Sequence, residues 1–287
     1  MISRSTVIAA LLVVELVIVG ESVVAMKSGL PADARSTSGP HLAEGGAHQT
    51  FRTSAHPALT VDIGYADLTI QVGEGSQVDV SVSAGMASNI FHSNGPIAAS
   101  ADGDAVRIAK SGSGWSGGDD RMVTVIVPAQ TLVTVVRAGD IKASGLRADA
   151  SISSVGSGTI NVEDYDAASL HVNSSNGAIT LRRIVATRLI ATSRNDRVDA
   201  SGLQVRDGSI EGDDNISLGF APGTNTVVNA EASDGKVSLS GFSATASGTE
   251  SKPSGEDSVS QTVHIGAAGG HLDVHSHSGD IRLRQEG

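Results

Sequence analysis

The sequence has no cysteine and very few aromatic residues. Without cysteine there is no disulfide framework, thiol nucleophile or cysteine-based zinc site, and cysteine usage gives no indication of the redox compartment. Of 287 residues only one Trp, two Tyr and four Phe are aromatic, against 34 glycines. The hydrophobic 39% is mostly Val, Ile, Leu and Ala, a composition that suits thin, regular layers better than a thick globular core.

Basic residues are also scarce. The chain has 20 Lys and Arg against 31 Asp and Glu, for a formal net charge of −11, and the basic residues are scattered along it. Nucleic-acid binding needs clustered positive charge to neutralise phosphates. The sequence therefore predicts that nucleic acid is not a partner.

The N-terminal segment is typical of an export signal. Arg4 precedes an apolar run, Val7 to Gly20, that only Glu15 interrupts, and small residues follow at Val23 to Ala25. The longer stretch Val7 to Met26 is long enough to span a membrane, but a central acidic residue opposes insertion. Residues 1–27 are thus predicted to be either a cleaved signal segment or a membrane anchor, which if uncleaved is the contact with the membrane. Residues 28–57 have the composition of a flexible linker, and everything after Lys27 is expected outside the cytoplasm.

A repeat dominates the rest of the chain. Short alternating segments over residues 58–127 predict an irregular N-terminal β cap. From about 128 to 285 an apolar β-branched residue then recurs with spacings of 19, 19, 19, 18, 21 and 44, at Ile141, Ile160, Ile179, Val198, Ile216, Val237 and Ile281. A period near 19 residues predicts a parallel β-solenoid of seven rungs in an all-β protein, with rungs stacked about 4.8 Å apart. The long spacing predicts an insertion at about 243–262.

The repeat also predicts which side chains are buried. In the rung that ends the chain, the inward residues are expected to be Leu272, Val274, Ser276, Ile281 and Leu283, and the outward ones Asp273, His275, His277, Asp280 and Arg282. Glu231 of the preceding rung is expected beside His275. Glycines recur two residues before the β-branched position, and we expect them to adopt the positive φ of a tight corner; they are Gly139, Gly158, Gly177, Gly235 and Gly279.

These features resemble a bacterial family. The alternating strand, the turn ending in glycine and the segment SHSGDIRL near the C-terminus are similar to the "putative adhesin" family of β-strand-repeat proteins, over about Leu59 to Leu283. The resemblance implies a parallel β-solenoid at the cell envelope. It implies no catalytic residues, because the family is mainly a domain of unknown function.

One strand carries candidate metal ligands. His271, Asp273, His275 and His277 alternate along LDVHSHSGDIRL and its preceding residue, so in a regular strand they project from one face about 6.6 Å apart. Imidazoles at such positions can chelate zinc or copper. The sequence offers this divalent transition-metal site as its single cofactor candidate; the alternative is an ordinary polar surface strand.

No pattern favours an enzyme. Gly114, Ser116 and Gly118 match a nucleophile-elbow motif, but a strand rather than a helix follows them. A polysaccharide lyase needs carboxylates and a basic residue clustered on one face, whereas the outward residues vary from rung to rung. We therefore expect a non-enzymatic, exported envelope module that binds a protein or glycan partner, or acts as a scaffold. The alternatives are a glycan-acting β-helix enzyme and an envelope-sensing domain.

Overall fold

The structure is a computed structural model, and it describes residues 47–83, 95–111, 120–242, 258–267 and 269–287. All the regular structure in these residues is β, in one 19-stranded sheet, so the all-β prediction is confirmed. No helix among them has the length and apolar character needed to cross a membrane. The predicted signal segment or anchor, the loop with Gly114 to Gly118 and most of the predicted insertion lie outside the described residues.

The strands follow one another at short intervals along the chain. Their bounds are β1 Ala47–Arg52, β2 Ala58–Asp62, β3 Asp67–Val72, β4 Gln77–Ser83, β5 Ile97–Asp102, β6 Ala105–Lys110, β7 Met122–Val127, β8 Leu132–Ala138, β9 Ile141–Ser144, β10 Ala150–Ser154, β11 Ile160–Ser174, β12 Ile179–Ser193, β13 Val198–Gly212, β14 Ile216–Phe220, β15 Thr226–Ala232, β16 Val237–Ser240, β17 Val259–Ile265, β18 His271–Ser276 and β19 Ile281–Gln285.

The three long strands β11, β12 and β13 pair in parallel with one another and show the repeat most clearly. Each bends at a residue with positive φ, Asp164 (55°), Arg183 (53°) or Gly202 (66°). The pairing is interrupted at this bend and again at residues 168, 187 and 206, so each repeat has three sides. The first side consists of residues 160–163, 179–182 and 198–201 with their partners. The middle side consists of residues 165–167, 184–186 and 203–205. The last side consists of residues 169–174, 188–193 and 207–212 with their partners.

The β-branched residues form a single column on the first side. Cα pairing joins Ile141 to Ile160, Ile160 to Ile179, Ile179 to Val198 and Val198 to Ile216. All of them are buried, as the 19-residue period predicts. Burying this column against copies of itself is what a single hairpin could not do, because its apolar face would stay in water.

The order of the last two repeats differs from the prediction. Ile216 pairs with Ile281, and Ile281 in turn pairs with Val237, so the final repeat lies between two earlier ones instead of at the end. The chain can double back because 30 residues, 241–270, separate β16 from β18. Part of that segment is β17, which runs antiparallel along β15.

The same arrangement occurs at the other end of the sheet. Strand β2 pairs in parallel with both β6 and β8, and β3 pairs in parallel with both β7 and β9. The first repeat is therefore also held between segments that come later in the chain. Antiparallel strands lie beyond it, with β5 on β6 and β4 on β7.

The burial of the final repeat agrees with the sequence. Leu272, Val274, Ser276, Ile281 and Leu283 are all buried. Asp273, His277 and Arg282 are exposed, and His275 and Asp280 are half-buried. The alternation holds because successive side chains of a strand point to opposite faces.

The predicted role of the corner glycines is wrong. None of Gly139, Gly158, Gly177, Gly235 and Gly279 has a positive φ. They are required because stacked corners approach closely: a Cβ at Gly177 would lie 2.2 Å from the carbonyl oxygen of Gly158, and a Cβ at Gly158 would lie 2.4 Å from that of Gly139. The absent side chain makes room for the backbone of the neighbouring corner.

Candidate functional site

The histidine-bearing strand β18 lies between two strands that are distant in sequence. It pairs in parallel with β13 on one side and with β15 on the other. His275 is directly opposite Glu211 of β13 and Glu231 of β15, so the predicted neighbour Glu231 is confirmed. Two glutamates thus flank one imidazole on adjacent strands.

His275 and His277 form one close pair. The Nε2 atom of His275 lies 3.1 Å from Nδ1 of His277, and the rings meet edge to face with centroids 4.5 Å apart. His277 lies just beyond the end of β18 at Ser276, where the chain bends. Ser276 is buried, and its hydroxyl accepts from the Gly279 amide at 3.0 Å, which fixes the bend.

His271 and Asp273 form a second, separate pair. The Nε2 atom of His271 lies 2.9 Å from Oδ1 of Asp273, and the Asn229 amide nitrogen lies 3.3 Å from the same imidazole nitrogen. The four residues singled out in the sequence therefore divide into two pairs. Within the described ranges, no group of three or more His, Asp or Glu side chains is already arranged to hold a metal ion.

The acidic neighbours of the histidine pair could not be found from local sequence. Asp213 places Oδ1 3.8 Å from Nε2 of His277, and Asp234 donates its amide to the His277 carbonyl at 3.2 Å. Glu211 and Asp213 are more than 60 residues from the histidines in the chain, and the final repeat was expected against only one neighbour. The insertion of β18 between β13 and β15 brings acidic residues to both of its sides.

A concave surface lies on the middle side, across three stacked repeats. We call it the middle-side groove; it has a volume of about 600 Å³. Its lining residues are Asp166, Ala167, Ala168, Val185, Ala186, Thr187, Gln204, Val205, Arg206, Gly223, Thr224, Asn225 and Gly269. Val185, which is 40% exposed, and the exposed Ala168 supply apolar surface, whereas Ala186 and Val205 are buried.

The polar side chains of the groove are held by local contacts. Gln204 donates to the carbonyl of Pro222 at 3.0 Å, Asn225 donates to that of Gly223 at 3.1 Å, and Arg206 lies 3.2 Å from Asp207. These contacts restrain the polar side chains at the rim. Asp166 is the one carboxylate among the lining residues.

Side chains at the bend support the middle side. Tyr165 is buried, its hydroxyl donates to the carbonyl of Ser169, and burial raises its pKa. The Arg183 guanidinium donates to both carboxylate oxygens of Asp164, and this hydrogen bonding lowers the pKa of Asp164. The bend is thus secured by a charged pair on the outside and a tyrosine inside.

The stacked parallel repeats define a β-strand-repeat protein with a groove on one side. The chain belongs to the Toastrack DUF4097 family, whose model matches residues 56–285. This confirms the resemblance inferred from the repeat. No curated protein matches the sequence.

Several solved structures are similar over most of the chain. A "putative adhesin" from Bacteroides fragilis has 11% identity, covers 86% of this chain and 100% of its own, and gives a TM-score of 0.48. A "putative adhesin" from Parabacteroides merdae has 12% identity, with coverages of 86% and 100% and a TM-score of 0.37. A "putative lipid binding protein" from Parabacteroides distasonis has 10% identity, with coverages of 85% and 97% and a TM-score of 0.38.

Proposed function

We propose that this protein is a non-enzymatic module, exported to the cell envelope, in which a parallel β-solenoid with rungs of about 19 residues binds a protein or glycan partner. The observation that carries the proposal is the middle-side groove. It is built by consecutive repeats, so it suits an elongated partner that lies across the rungs.

The solenoid assignment is supported by the parallel pairing of β9, β11, β12, β13 and β14 on the first side. The repeats of β11, β12 and β13 pair in parallel again on the middle and last sides. Residues 58–127 serve as the cap in this proposal, with antiparallel strands at the outer edge. Continuous ladders on more than one side make the groove rigid, which lowers the ordering cost of binding.

The chemistry of the groove supports binding rather than catalysis. Exposed apolar side chains, here Val185 and Ala168, beside a few fixed polar groups are the usual make-up of a recognition surface. Hydrolysis or elimination at a glycosidic bond calls for at least a second acid or base close to the first. Asp166 is alone in this respect among the residues that line the groove.

The groove can be tested with two matched valines. Val185 lies in the groove and is 40% exposed; Val136 lies on β8 and is 44% exposed. We would measure retention of a chain beginning at residue 28 on isolated envelopes of the source cells, because residues 40–287 form one compact unit. Val185→Glu should reduce retention about tenfold or more by placing a charge where the groove exposes an apolar side chain, whereas Val136→Glu should leave it unchanged.

Further experiments distinguish a protein partner from a glycan partner and test whether the chain is exported. Protease treatment of the envelopes should abolish retention if the partner is a protein, and periodate should do so if it is a glycan. Equal retention of the two glutamate variants would reject the groove as the binding surface. Export itself is tested by fractionating cells and sequencing the N-terminus of the mature chain; recovery of an unprocessed chain from the cytoplasm would reject it.

A further inference from the structure

We propose that His275 and His277 anchor a surface site for one divalent transition-metal ion, completed by the carboxylate of Glu211 or Glu231. The site lies on the last side of the sheet. It goes beyond the binding function proposed above and does not depend on it.

The separation of the two imidazole nitrogens fits a shared metal. Two nitrogen ligands at about 2.0–2.1 Å from a tetrahedral zinc ion lie about 3.3 Å apart, and Nε2 of His275 and Nδ1 of His277 are 3.1 Å apart. These two nitrogens now share a hydrogen bond, which a metal ion would replace. The two nitrogens are already close to the separation of chelating ligands, and the rings must rotate until both lone pairs point at the ion.

Carboxylates stand on both sides of the pair. Glu211 and Glu231 are opposite His275 on the neighbouring strands, and both are exposed. Within the described part of the chain neither carboxylate has a hydrogen bond or ion pair, so rotation of either side chain toward the imidazoles breaks no contact. A third ligand of this kind leaves the fourth position of a tetrahedral ion to water.

Asp213 supplies a further element of a metal site. Its carboxylate faces Nε2 of His277 at 3.8 Å, on the opposite edge of the ring from the nitrogen that would bind the metal. A carboxylate on the second ring nitrogen orients a ligating histidine and increases its basicity. Asp213 is thus a positioning residue and not a ligand.

The ligand set indicates the kind of ion. Imidazole with carboxylate suits zinc, copper and nickel, whereas calcium and magnesium prefer sites made of oxygen alone. His271 and Asp273 are excluded from the set because they pair with each other and with Asn229. The matched control is therefore His271, a histidine on the same strand whose loss leaves the site intact.

The test is zinc binding by the untagged full chain, measured by calorimetry at about pH 7.5. We expect one ion per chain at this site, with His275→Ala and His277→Gln each weakening binding by about tenfold or more. His271→Ala should keep the wild-type affinity, and a Glu211→Gln, Glu231→Gln double variant should weaken it. At about pH 5.5 binding should be lost because metal-binding imidazoles must be neutral. Excess calcium should not compete.

Three outcomes would overturn the proposal. The first is the absence of zinc binding by the wild type, and the second is an affinity that neither the His275 nor the His277 variant changes. The third is an equal loss in His271→Ala, which would place the ion elsewhere on the strand. Thermal melting of each variant identifies misfolding, and His277→Gln provides an independent reading if His275→Ala melts early.

Discussion

Several corners of the stack depend on two small residues. At the corners of Gly158, Gly177 and Gly279, the glycine stands two positions before the buried β-branched residue and a buried serine ends the last side. The Ser174 hydroxyl accepts from the Gly177 amide at 2.9 Å, and the Ser193 hydroxyl donates to the Gly177 carbonyl at 3.1 Å. The serines thus provide partners for backbone groups that would otherwise be buried without any. Leaving such a group unpaired costs about 1–3 kcal/mol.

Alanine at Gly177 should destabilise the protein even though this glycine has an ordinary φ. The new Cβ would lie 2.2 Å from the carbonyl oxygen of Gly158, so the two corners must move apart. We expect a loss of about 1–3 kcal/mol in the free energy of unfolding, measured by urea denaturation. Gly269→Ala is the control because its Cβ would come no nearer than 3.9 Å to Asn225, and it should change stability by less than about 0.5 kcal/mol. Equal effects would show that the corners are not tightly stacked.

The strands combine a register that the sequence predicts with an order that it does not. A residue's place in the 19-residue period determines which partners it meets, so the column from Ile141 to Ile216 was predictable. The order of the repeats was not, because every repeat offers the same kind of apolar face, and Ile281 and Val237 fit equally well beside Ile216. The histidine site shows the same division: the outward positions of His275 and His277 were predictable, but Glu211 and Asp213 depend on strand order.

A charge within the first-side column should unfold the stack. Ile179 is fully buried between Ile160 and Val198. Ile179→Asp would bury an unpaired carboxylate, at a cost of several kcal/mol, in a structure where each repeat depends on its neighbours. We expect loss of the cooperative transition in thermal melting followed by circular dichroism.

The adjacent residue Thr180 gives the matched control. It points outward, opposite Asn161 and Asp199. Thr180→Lys adds a charge of opposite sign to Asp199, so it should change the melting temperature little. A native-like melt of Ile179→Asp would contradict the inward assignment of the column.

At the scale of the whole molecule, both ends of the sheet are interleaved. Strands β2 and β3 lie between partners that come later in the chain, and β18 and β19 lie between partners that come earlier. Antiparallel β17 then covers β15.

The strand order can be tested by cross-linking, since the chain has no native cysteine. Ser217 is directly opposite Arg282, and Arg282 is directly opposite Ser238. Neighbouring parallel strands are about 4.8 Å apart, within the Cα separation that a disulfide spans. Ser217→Cys with Arg282→Cys should therefore form a disulfide on mild oxidation, detected by mobility on a non-reducing gel.

The pair Ser217→Cys with Ser238→Cys is the control, because another strand separates these positions and they are about twice as far apart. It should remain reduced under the same conditions. The reverse result would restore the order expected from the sequence, with the repeat of Val237 directly beside that of Ile216.

The interleaved C-terminal repeat has a consequence for biosynthesis. A solenoid whose repeats stack in chain order can fold progressively as the polypeptide emerges, because each new repeat adds to a finished surface. Here β15 and β16 have no finished surface to join until residues 271–285 have been made. Completion of the fold is therefore coupled to synthesis of residues 271–285. A product shortened by premature termination or by proteolysis would lack an internal layer and would be open to degradation.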